Sequence, residues 1–496
     1  MSTADTPVPA GTDRSDVDST AAPGRGGVQR VTLITLTGMV VGSMVGAGVF
    51  SLPRRFATET GVYGALIAWA IAGTGMLMLA FVFQTLAIRK PALDSGVYAY
   101  AKAGFGEYLG FFSAFGYWCS ACVGNTTYWV LIMSTVGALA PVLGEGNTLT
   151  AVLLSSVGLW LFAALILRGT KEAANLNRIV TVAKVIPILV FVLLCIFTLD
   201  LDIFRANMSG GDGVGSLFEQ VNGTMLATVF VFLGVEGASV YSRYAKKRED
   251  VGKATVLGFL GVLAVFASVT IVSYGIMPRA EMAQLRQPSM AGVLETAVGG
   301  WGAVLVSVGL IVSVLGAYLA WSLMAAEVLF VASKDDDMPR FLRKVNAKNA
   351  PINAVIMSTL LTQIMLFVTM ASANAFDFTL NMTSALTLIP FVLAAGYALK
   401  LVITRETYDT DPAGRTRDLI VAGVATIYTL FLLYAAGTRY MLVSFVIYAP
   451  GTIFFVMARR EQGRRLFSPG EAVILAVASV LAVIGVVAIA SGWIEI

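Results

Sequence analysis

The sequence predicts an all-α integral membrane protein. Of its 496 residues, 57% are hydrophobic and only 13% are charged, and the mean hydropathy is +0.80. Apolar runs of about 20 residues, the length that a helix needs to cross the hydrocarbon core of a bilayer, recur along the chain. The alternation of apolar and polar residues that is typical of membrane strands does not appear, so we expect helices to span the membrane.

The first 28 residues differ from the rest of the chain. They are rich in Thr, Ser, Asp, Gly and Pro and contain no apolar run, a composition that is typical of disorder. A signal peptide needs an apolar segment, which this stretch lacks. We therefore expect residues 1–28 to form a disordered cytoplasmic tail.

Thirteen apolar segments follow the tail, and each is long enough to be a membrane helix. An odd number of crossings places the two termini on opposite sides. The eighth segment is longer than a bilayer needs and is expected to extend towards Lys334. The approximate spans are 31–52, 64–88, 105–140, 149–167, 179–199, 218–242, 253–277, 302–333, 353–373, 378–403, 418–436, 440–457 and 470–492.

The distribution of Lys and Arg predicts the orientation of these helices. With a cytoplasmic N-terminus, the cytoplasmic segments carry 27 Lys and Arg residues and the external segments carry 6. Cytoplasmic loops of membrane proteins have an excess of these residues. The sequence therefore predicts a multi-pass protein of the plasma (inner) membrane with its N-terminus in the cytoplasm.

Glycines interrupt the first predicted helix. Gly42, Gly46 and Gly48 lie within seven residues, and each costs about 1 kcal/mol relative to alanine in a helix interior. A break inside a membrane is tolerated only where the freed backbone groups are buried in protein or line a cavity. We interpret this stretch as an unwound segment whose amides face a ligand. The alternative is close helix packing, for which Gly42 and Gly46 form a GxxxG pair.

The sixth predicted helix contains a second interruption. Gly234 and Gly237 flank Glu236 in the middle of an apolar run. The first and sixth helices begin two groups of five. Glycine-interrupted helices at corresponding places in two halves are typical of the binding site of a secondary transporter. This pairing favours the ligand interpretation of the first break.

The sequence lacks residues that metal binding and enzymatic catalysis commonly need. The sequence contains no histidine, which removes the commonest metal ligand and the usual general base. Cys119 and Cys122 form a CxxC inside an apolar helix, where we interpret them as packing residues. The acidic run 335–337 is expected to be a solvated loop paired with Arg340 and Arg343. We therefore predict no metal, no cofactor and no enzymatic activity.

Three segments carry a resemblance to a known family: GSMVGAGVFSLP at 42–53, FLGVEGAS at 232–239 and ASKDDDMPRFLRKVN at 332–346. They resemble the amino acid–polyamine–organocation (APC) superfamily, and within it the basic amino acid/polyamine antiporters. The run at 290–330 is most similar to the arginine:ornithine antiporters. The resemblance covers about residues 30–492.

The resemblance implies a LeuT-type fold. Helices 1–5 and 6–10 would form two inverted repeats, and helices 11–13 would be peripheral. The chain then divides into a transporter core at 29–403 and peripheral C-terminal helices at 404–496. The substrate would lie at the bilayer midplane, between the unwound middles of the first and sixth helices.

The first helix supplies one group of candidate substrate-binding residues. A helix that restarts after a break presents free N–H groups and the positive end of its dipole, which suit a carboxylate. Ala47 stands where the arginine/agmatine antiporters of the family have a serine, so one hydroxyl contact is missing. The candidates on this helix are Gly42, Ser43, Met44, Gly46, Ala47 and Gly48.

The sixth helix supplies a second group. The resemblance places Phe230 at the position of a substrate-contacting tryptophan and Glu236 at that of a gating glutamate. Carbonyl groups around Gly234 are expected to accept hydrogen bonds from an α-ammonium group. An acidic residue inside a membrane is costly to bury, so its presence there favours a functional role. The alternative for Glu236 is a buried carboxylate with a structural partner.

Three more candidates follow from the resemblance. Asn125 would bind the substrate, and Trp321 would border the pocket, where its indole can hold a cation. Thr383 is expected to line the pocket. The alternatives are an interhelical hydrogen bond for Asn125, a lipid-facing position for Trp321, and a hydrogen bond to its own helix for Thr383.

Two charged residues complete the candidate site. Lys184 is the only Lys or Arg that the count assigns to the membrane interior and to neither side of it. In sodium-independent relatives, a lysine on this helix puts its ammonium group where sodium binds in sodium-coupled members. Its alternative is to extend to the cytoplasmic surface. Glu327 would pair either with a cationic substrate or with Lys184.

These features predict a secondary transporter that exchanges cationic amino acids, arginine for ornithine, by alternating access. The alternative is a proton-coupled importer of lysine or of basic amino acids in general. A channel, a receptor or an enzyme is disfavoured by the paired broken helices and by the lack of a nucleophile–base pair. The expected partners are small cationic amino acids and the lipid bilayer, with no nucleic acid. A homodimer is left open, because the sequence does not report the oligomeric state.

Overall fold

Helices make up the secondary structure of the protein. The computed structural model describes residues 32–93, 97–169, 184–211, 213–236, 248–409 and 411–495, so the predicted tail 1–28 lies outside the described residues. Within these ranges, the only strand-type pairing is an isolated bridge between Val345 and Pro351. The α-helices in chain order are α1 (Leu33–Met44), α2 (Leu52–Glu59), α3 (Val62–Arg89), α4 (Val97–Phe105), α5 (Glu107–Gly137), α6 (Leu149–Arg168), α7 (Val185–Thr198), α8 (Leu201–Ala206), α9 (Leu217–Phe232), α10 (Arg248–Ser273), α11 (Arg279–Met282), α12 (Ser289–Val298), α13 (Gly300–Lys334), α14 (Ile352–Val368), α15 (Ala375–Thr404), α16 (Arg415–Glu461) and α17 (Pro469–Ala490).

The helices confirm the predicted fold class. Among the described residues, eight are long and apolar enough to cross a membrane, and nine when α1 and the segment Gly48–Glu59 count as one bent span. Each of the thirteen predicted spans overlaps at least one helix in the described ranges. The protein is therefore an all-α membrane protein, as its composition indicates.

One long helix contains two predicted spans. α16 has 47 residues, but Gly437 within it has a φ of 65° and a ψ of 172°, which are not helical angles. Ion pairs join Asp418 near its start to Arg89, and Arg459 near its end to Glu107. Arg89 and Glu107 lie on either side of the short helix α4. Both ends of α16 therefore lie on one side of the protein, and the chain turns back at Gly437.

The first span extends further than predicted. A short 3₁₀ turn at Gly48–Ser51 leads into α2, which continues to Glu59. Arg54 and Arg55, which the Lys and Arg count assigned to the external side, lie on this helix, and Arg55 is only 8% exposed. A charged residue at the end of a span can be buried when another charge faces it, and the external assignment of both residues stays a prediction.

The helix α5 forms the centre of the bundle. Only Glu107, Leu109 and Val136 of its 31 residues are not buried, and it packs against α13 and α15. A helix that is buried on all sides presents functional side chains in several directions. Following the Lys and Arg prediction, we call the side with Glu107 and Arg89 the inner side and the side with Glu59 and Gly137 the outer side.

The C-terminal helix lies at the edge of the bundle. α17 buries only a stripe of small residues, Ala478, Ala482, Gly485 and Ala488, and a side chain at Gly485 would meet Val446 and Leu442 of α16. The division of the chain into a transporter core at 29–403 and peripheral C-terminal helices at 404–496 stays a prediction.

Candidate functional site

The first span breaks where the glycines predict. α1 ends at Met44, the 3₁₀ turn begins at Gly48, and the two halves of the span are bent by 46°. The backbone N–H groups of Gly46 and Ala47 form no hydrogen bond with the described residues. Two adjacent free amides at the start of a helix form a site for an anion such as a carboxylate.

The same glycines also allow close packing. A Cβ atom at Gly48 would lie 2.5 Å from Val231 Cγ1 and 2.9 Å from Phe230 Cδ1, and one at Gly46 would lie 3.3 Å from the hydroxyl of Tyr128. A Cβ contact below 3 Å is not tolerated without movement of the neighbour. The segment is therefore both unwound and tightly packed against α9, and the prediction that its amides face a ligand stays a prediction.

The second break lies directly against the first. After α9 ends at Phe232, Gly234 adopts a φ of 101°, which favours glycine. A Cβ atom there would clash with the carbonyl oxygen of Ser43. The hydroxyl of Ser43 donates to the carbonyl oxygens of Val40 at 2.8 Å and Gly234 at 3.1 Å. The predicted Gly237 lies outside the described residues.

Glu236 binds partners from two elements. One carboxylate oxygen accepts a hydrogen bond from the hydroxyl of Tyr117 on α5, and the other accepts one from the N–H of Gly234 at 3.1 Å. The Tyr117 ring centroid lies 6.4 Å from that of Trp321, and its hydroxyl lies 3.2 Å from the sulfur of Met324. Glu236 thus connects the second helix break to an aromatic pair that we call the inner aromatic pair, Tyr117 and Trp321.

Trp321 faces the protein interior. Its side chain is 9% exposed, so the alternative of a lipid-facing position is wrong. Its ring lies beside that of Tyr117, and its place at the border of a substrate pocket stays a prediction.

A second aromatic pair lies closer to the outer side of the protein than the first. The rings of Tyr128 and Phe230 meet edge to face, with centroids 6.4 Å apart, and we call them the outer aromatic pair. Tyr128 follows Tyr117 by 11 residues of α5, which is about 16 Å along the helix and returns to the same face. Between the two pairs lie the helix breaks and Gly124, so this space is the candidate substrate site.

Asn125 faces away from this space. Its amide nitrogen donates to the hydroxyl of Ser322 on α13 at 3.2 Å, while its buried carbonyl oxygen has no hydrogen-bond partner. It lines a small cavity with Tyr318 and Thr359. The interhelical hydrogen bond considered as the alternative is therefore formed. A substrate contact by Asn125 requires a different rotation of the side chain.

Thr383 is buried beside α5. Its hydroxyl donates to the carbonyl oxygen of Thr379 on the same helix at 2.8 Å, the alternative considered from sequence. Its methyl group lies 3.3 Å from a Cβ atom built at Gly124. It therefore borders the candidate site through the methyl group.

Lys184 reaches the first helix break. Its ammonium group donates to the carbonyl oxygen of Gly42 at 2.5 Å, and the residue is 3% exposed. A cation at the C-terminal end of α1 is stabilised by the negative end of the helix dipole. The alternative of a side chain extended to the cytoplasmic surface is wrong. The pairing with Glu327 is wrong as well, because Glu327 is exposed and forms no ion pair with the described residues.

The acidic run after α13 is only partly the solvated loop that we predicted. Asp336 pairs with Arg343 and, at 3.9 Å, with Arg340, as expected. Asp337, in contrast, is buried and binds Lys102 of α4 at 2.6 Å. Burial raises the pKa of Asp337 to about 6.

Asp335 accepts a hydrogen bond from the hydroxyl of Tyr98 on α4 at 2.7 Å. Both flanking acids of the run therefore hold α4 against the inner end of α13. Cys119 and Cys122 are buried and not joined by a disulfide, in agreement with a packing role.

Sequence reasoning missed Tyr117, Tyr128 and Arg55. The two tyrosines lie on a helix in which nearly every residue is buried, so no polar face marks the side that meets the substrate. A signal was present in their spacing, because Tyr117, Gly124 and Tyr128 recur at 7 and 4 residues, the interval of one helix face.

Comparison with known proteins agrees with this architecture. A family model described as amino acid permease matches residues 31–458. An arginine/ornithine antiporter of Pseudomonas aeruginosa is 48% identical over 94% of this chain and 99% of its own length. An L-lysine transport protein of Corynebacterium glutamicum is 39% identical over 95% and 98%. An arginine/agmatine antiporter of Chlamydia abortus is 33% identical over 91% and 95%. The chain belongs to the amino acid permease family, in the basic amino acid antiporter branch of the APC superfamily.

Proposed function

We propose that this protein exchanges arginine for ornithine across the plasma membrane by alternating access. The observation that carries the proposal is the direct contact of the two helix breaks, through the hydroxyl of Ser43 and the carbonyl of Gly234. Both breaks lie between the two aromatic pairs. The names of relatives at 48% and 33% identity, both arginine/ornithine antiporters, support the substrate pair.

The site offers a partner for each part of a cationic amino acid. The free N–H groups of Gly46 and Ala47 suit the α-carboxylate. The carbonyl oxygens near Gly234 suit the α-ammonium group. The rings of Phe230 and Trp321 suit a guanidinium or ammonium group, which gains about 2 kcal/mol over a desolvated aromatic face.

Lys184 supports transport without sodium. Its ammonium group occupies the end of α1 at the helix break, where a bound cation would otherwise stabilise the carbonyl groups. Arginine and ornithine carry the same charge, so their exchange moves no net charge. In this proposal the N-terminus is cytoplasmic and residues 29–403 form the moving core.

Proton-coupled import of lysine is the second candidate. It is favoured by the L-lysine transport protein that is 39% identical over 95% of this chain. Lys184, buried at the helix break, would be the group that carries the proton. In that case uptake needs a proton gradient but no internal substrate.

One experiment separates the two candidates. Purified protein is reconstituted into proteoliposomes that either contain ornithine or are empty, and radiolabelled arginine is added outside. We expect rapid uptake only into the ornithine-loaded vesicles. Equal uptake into empty vesicles under an imposed proton gradient would overturn exchange and favour the importer.

A further inference from the structure

Three charged residues form a cluster at the outer end of the candidate site. Arg55 Nη1 on α2 lies 3.3 Å from Asp377 Oδ1 on α15, and Arg54 Nη2 lies 3.8 Å from Asp377 Oδ2. Arg55 Nη2 also donates to Asn381 Oδ1 at 2.9 Å. Asn381 in turn donates to the hydroxyl of Tyr440 on α16 at 2.9 Å. The cluster therefore ties the outer half of the first span to two other helices.

This cluster lies on the outer side of the site in both helices that form it. Arg55 follows Gly48 by seven residues, which is about 10 Å along a helix, and Asp377 precedes Thr383 by six residues, about 9 Å. Gly48 and Thr383 both border the candidate site. The Arg55–Asp377 pair therefore lies between the candidate site and the outer surface, on two of the helices that border the site.

The pair is incompletely bonded. The Nε atom of Arg55 and the Oδ1 atom of Asp377 are buried and have no hydrogen-bond partner. A guanidinium and a carboxylate normally form two parallel hydrogen bonds. The side chains of Arg55 and Asp377 are 9% and 22% exposed, and a largely buried ion pair with such incomplete bonding stabilises a protein little, since the cost of desolvation offsets the attraction.

We infer that Asp377 is an outer binding site for the cationic side chain of the substrate, and that Arg55 occupies this carboxylate while the outer side is closed. The inference rests on the proposed function, because it needs a cationic substrate. The substrate guanidinium has the same chemistry as the side chain of Arg55. An incoming cation that bonds Asp377 with better geometry displaces Arg55 and opens the path. Without a cation, Arg55 stays in place and the outer side stays closed.

The test is the external KM for arginine, measured with ornithine-loaded proteoliposomes in a single orientation. Asp377→Asn removes the acceptor, so we expect the external KM to rise about tenfold, equivalent to about 1.4 kcal/mol. Arg55→Gln removes the competitor, so we expect the external KM to fall. The internal KM for ornithine should change less than twofold in both variants. Asp202→Asn, which removes an exposed carboxylate paired with Arg205 on the outer side, is the matched control.

A double variant distinguishes competition from simple repulsion. With Asp377→Asn already present, Arg55→Gln should have no further effect on the external KM, because the carboxylate for which Arg55 competes is gone. A further fall in the double variant would overturn the inference and leave only repulsion by Arg55. The double variant replaces both members of the Arg55–Asp377 pair, so neither is left facing an uncharged partner, and it serves when a single variant does not fold. Its external KM should then exceed that of wild type.

Citrulline, in which a neutral urea replaces the guanidinium, gives a second readout. At the outer side, we expect the preference for arginine over citrulline to be larger in wild type than in Asp377→Asn. An unchanged preference and an unchanged external KM in Asp377→Asn would overturn the inference. If wild type does not exchange arginine at all, the proposed function fails first, and this outcome is visible without any variant.

Discussion

The ammonium group of Lys184 lies 2.5 Å from the carbonyl oxygen of Gly42, at the point where the first membrane span unwinds. Because this contact closes the end of α1, we expect exchange by wild type to be unchanged when choline replaces sodium. Lys184→Met keeps the length of the side chain but leaves a buried carbonyl group without its donor, at a cost of about 1 to 3 kcal/mol. Arginine/ornithine exchange should fall at least tenfold.

Lys348→Met, at an exposed inner position, is the control for this change and should exchange normally. Stimulation of wild type by sodium, or normal exchange by Lys184→Met, would contradict the account of the helix break.

Gly234→Ala should abolish exchange and lower stability. The residue has a φ of 101°, and a Cβ atom would clash with the carbonyl oxygen of Ser43. Strain of this kind costs about 1 to 3 kcal/mol. Thermal unfolding in detergent and vesicle exchange measure the two effects.

Gly261→Ala is the matched control, because nothing lies within 4 Å of a Cβ atom built there. It lies inside a helix, so it should leave exchange intact and slightly raise stability. Equal losses in both alanine variants would mean that the position of Gly234 has no special role.

Tyr117→Phe should slow exchange without preventing folding. The change removes the hydroxyl that donates to the carboxylate of Glu236, while the ring keeps its contact with Trp321. Hydrogen bonds to charged groups contribute about 1.5 to 3 kcal/mol. We expect a reduced turnover at saturating arginine with normal expression.

Tyr63→Phe, at a position that is 54% exposed, should behave as wild type. Normal exchange by Tyr117→Phe would show that the contact between Glu236 and the inner aromatic pair is dispensable.

Asp337 should make stability depend on pH. Burial raises its pKa from an ordinary 3.8 to about 6. An acid whose pKa is higher in the folded state stabilises the fold when it is protonated. Its contribution is therefore full below about pH 4 and is lost as the pH rises through about 6, with a total of about 3 kcal/mol. Relative to Asp337→Asn, wild type should lose thermal stability between pH 4 and 7.

The exposed neighbour provides the comparison for this titration. Asp336→Asn, whose side chain is 45% exposed, should follow the pH profile of wild type. A stability difference between wild type and Asp337→Asn that stays constant with pH, or that shifts in favour of wild type as the pH rises, would contradict the buried position of Asp337.

The sequence was informative where backbone chemistry is unusual. Gly42 to Gly48 and Gly234 are costly in a membrane helix, so the breaks were predicted in the correct places. Lys184 was informative for the same reason, because a lone cation in an apolar span requires a partner. Its partner, a backbone carbonyl group of another span, was not predictable, since it depends on how α7 packs against α1.

Side chains whose role depends on rotation were not predictable. Asn125 lies on α5 near the site, but its amide nitrogen bonds Ser322 instead of facing the breaks. Arg55 was counted only as an external charge, and Asp377 was not singled out. The two residues meet on the outer side of the site only because α2 continues to Glu59.

A structure determined with bound arginine tests the central claim most directly. The account predicts density for the α-carboxylate at the N–H groups of Gly46 and Ala47, with the side chain between the inner and the outer aromatic pairs. Arginine bound elsewhere, such as in the cavity beside Asn125, would contradict the account.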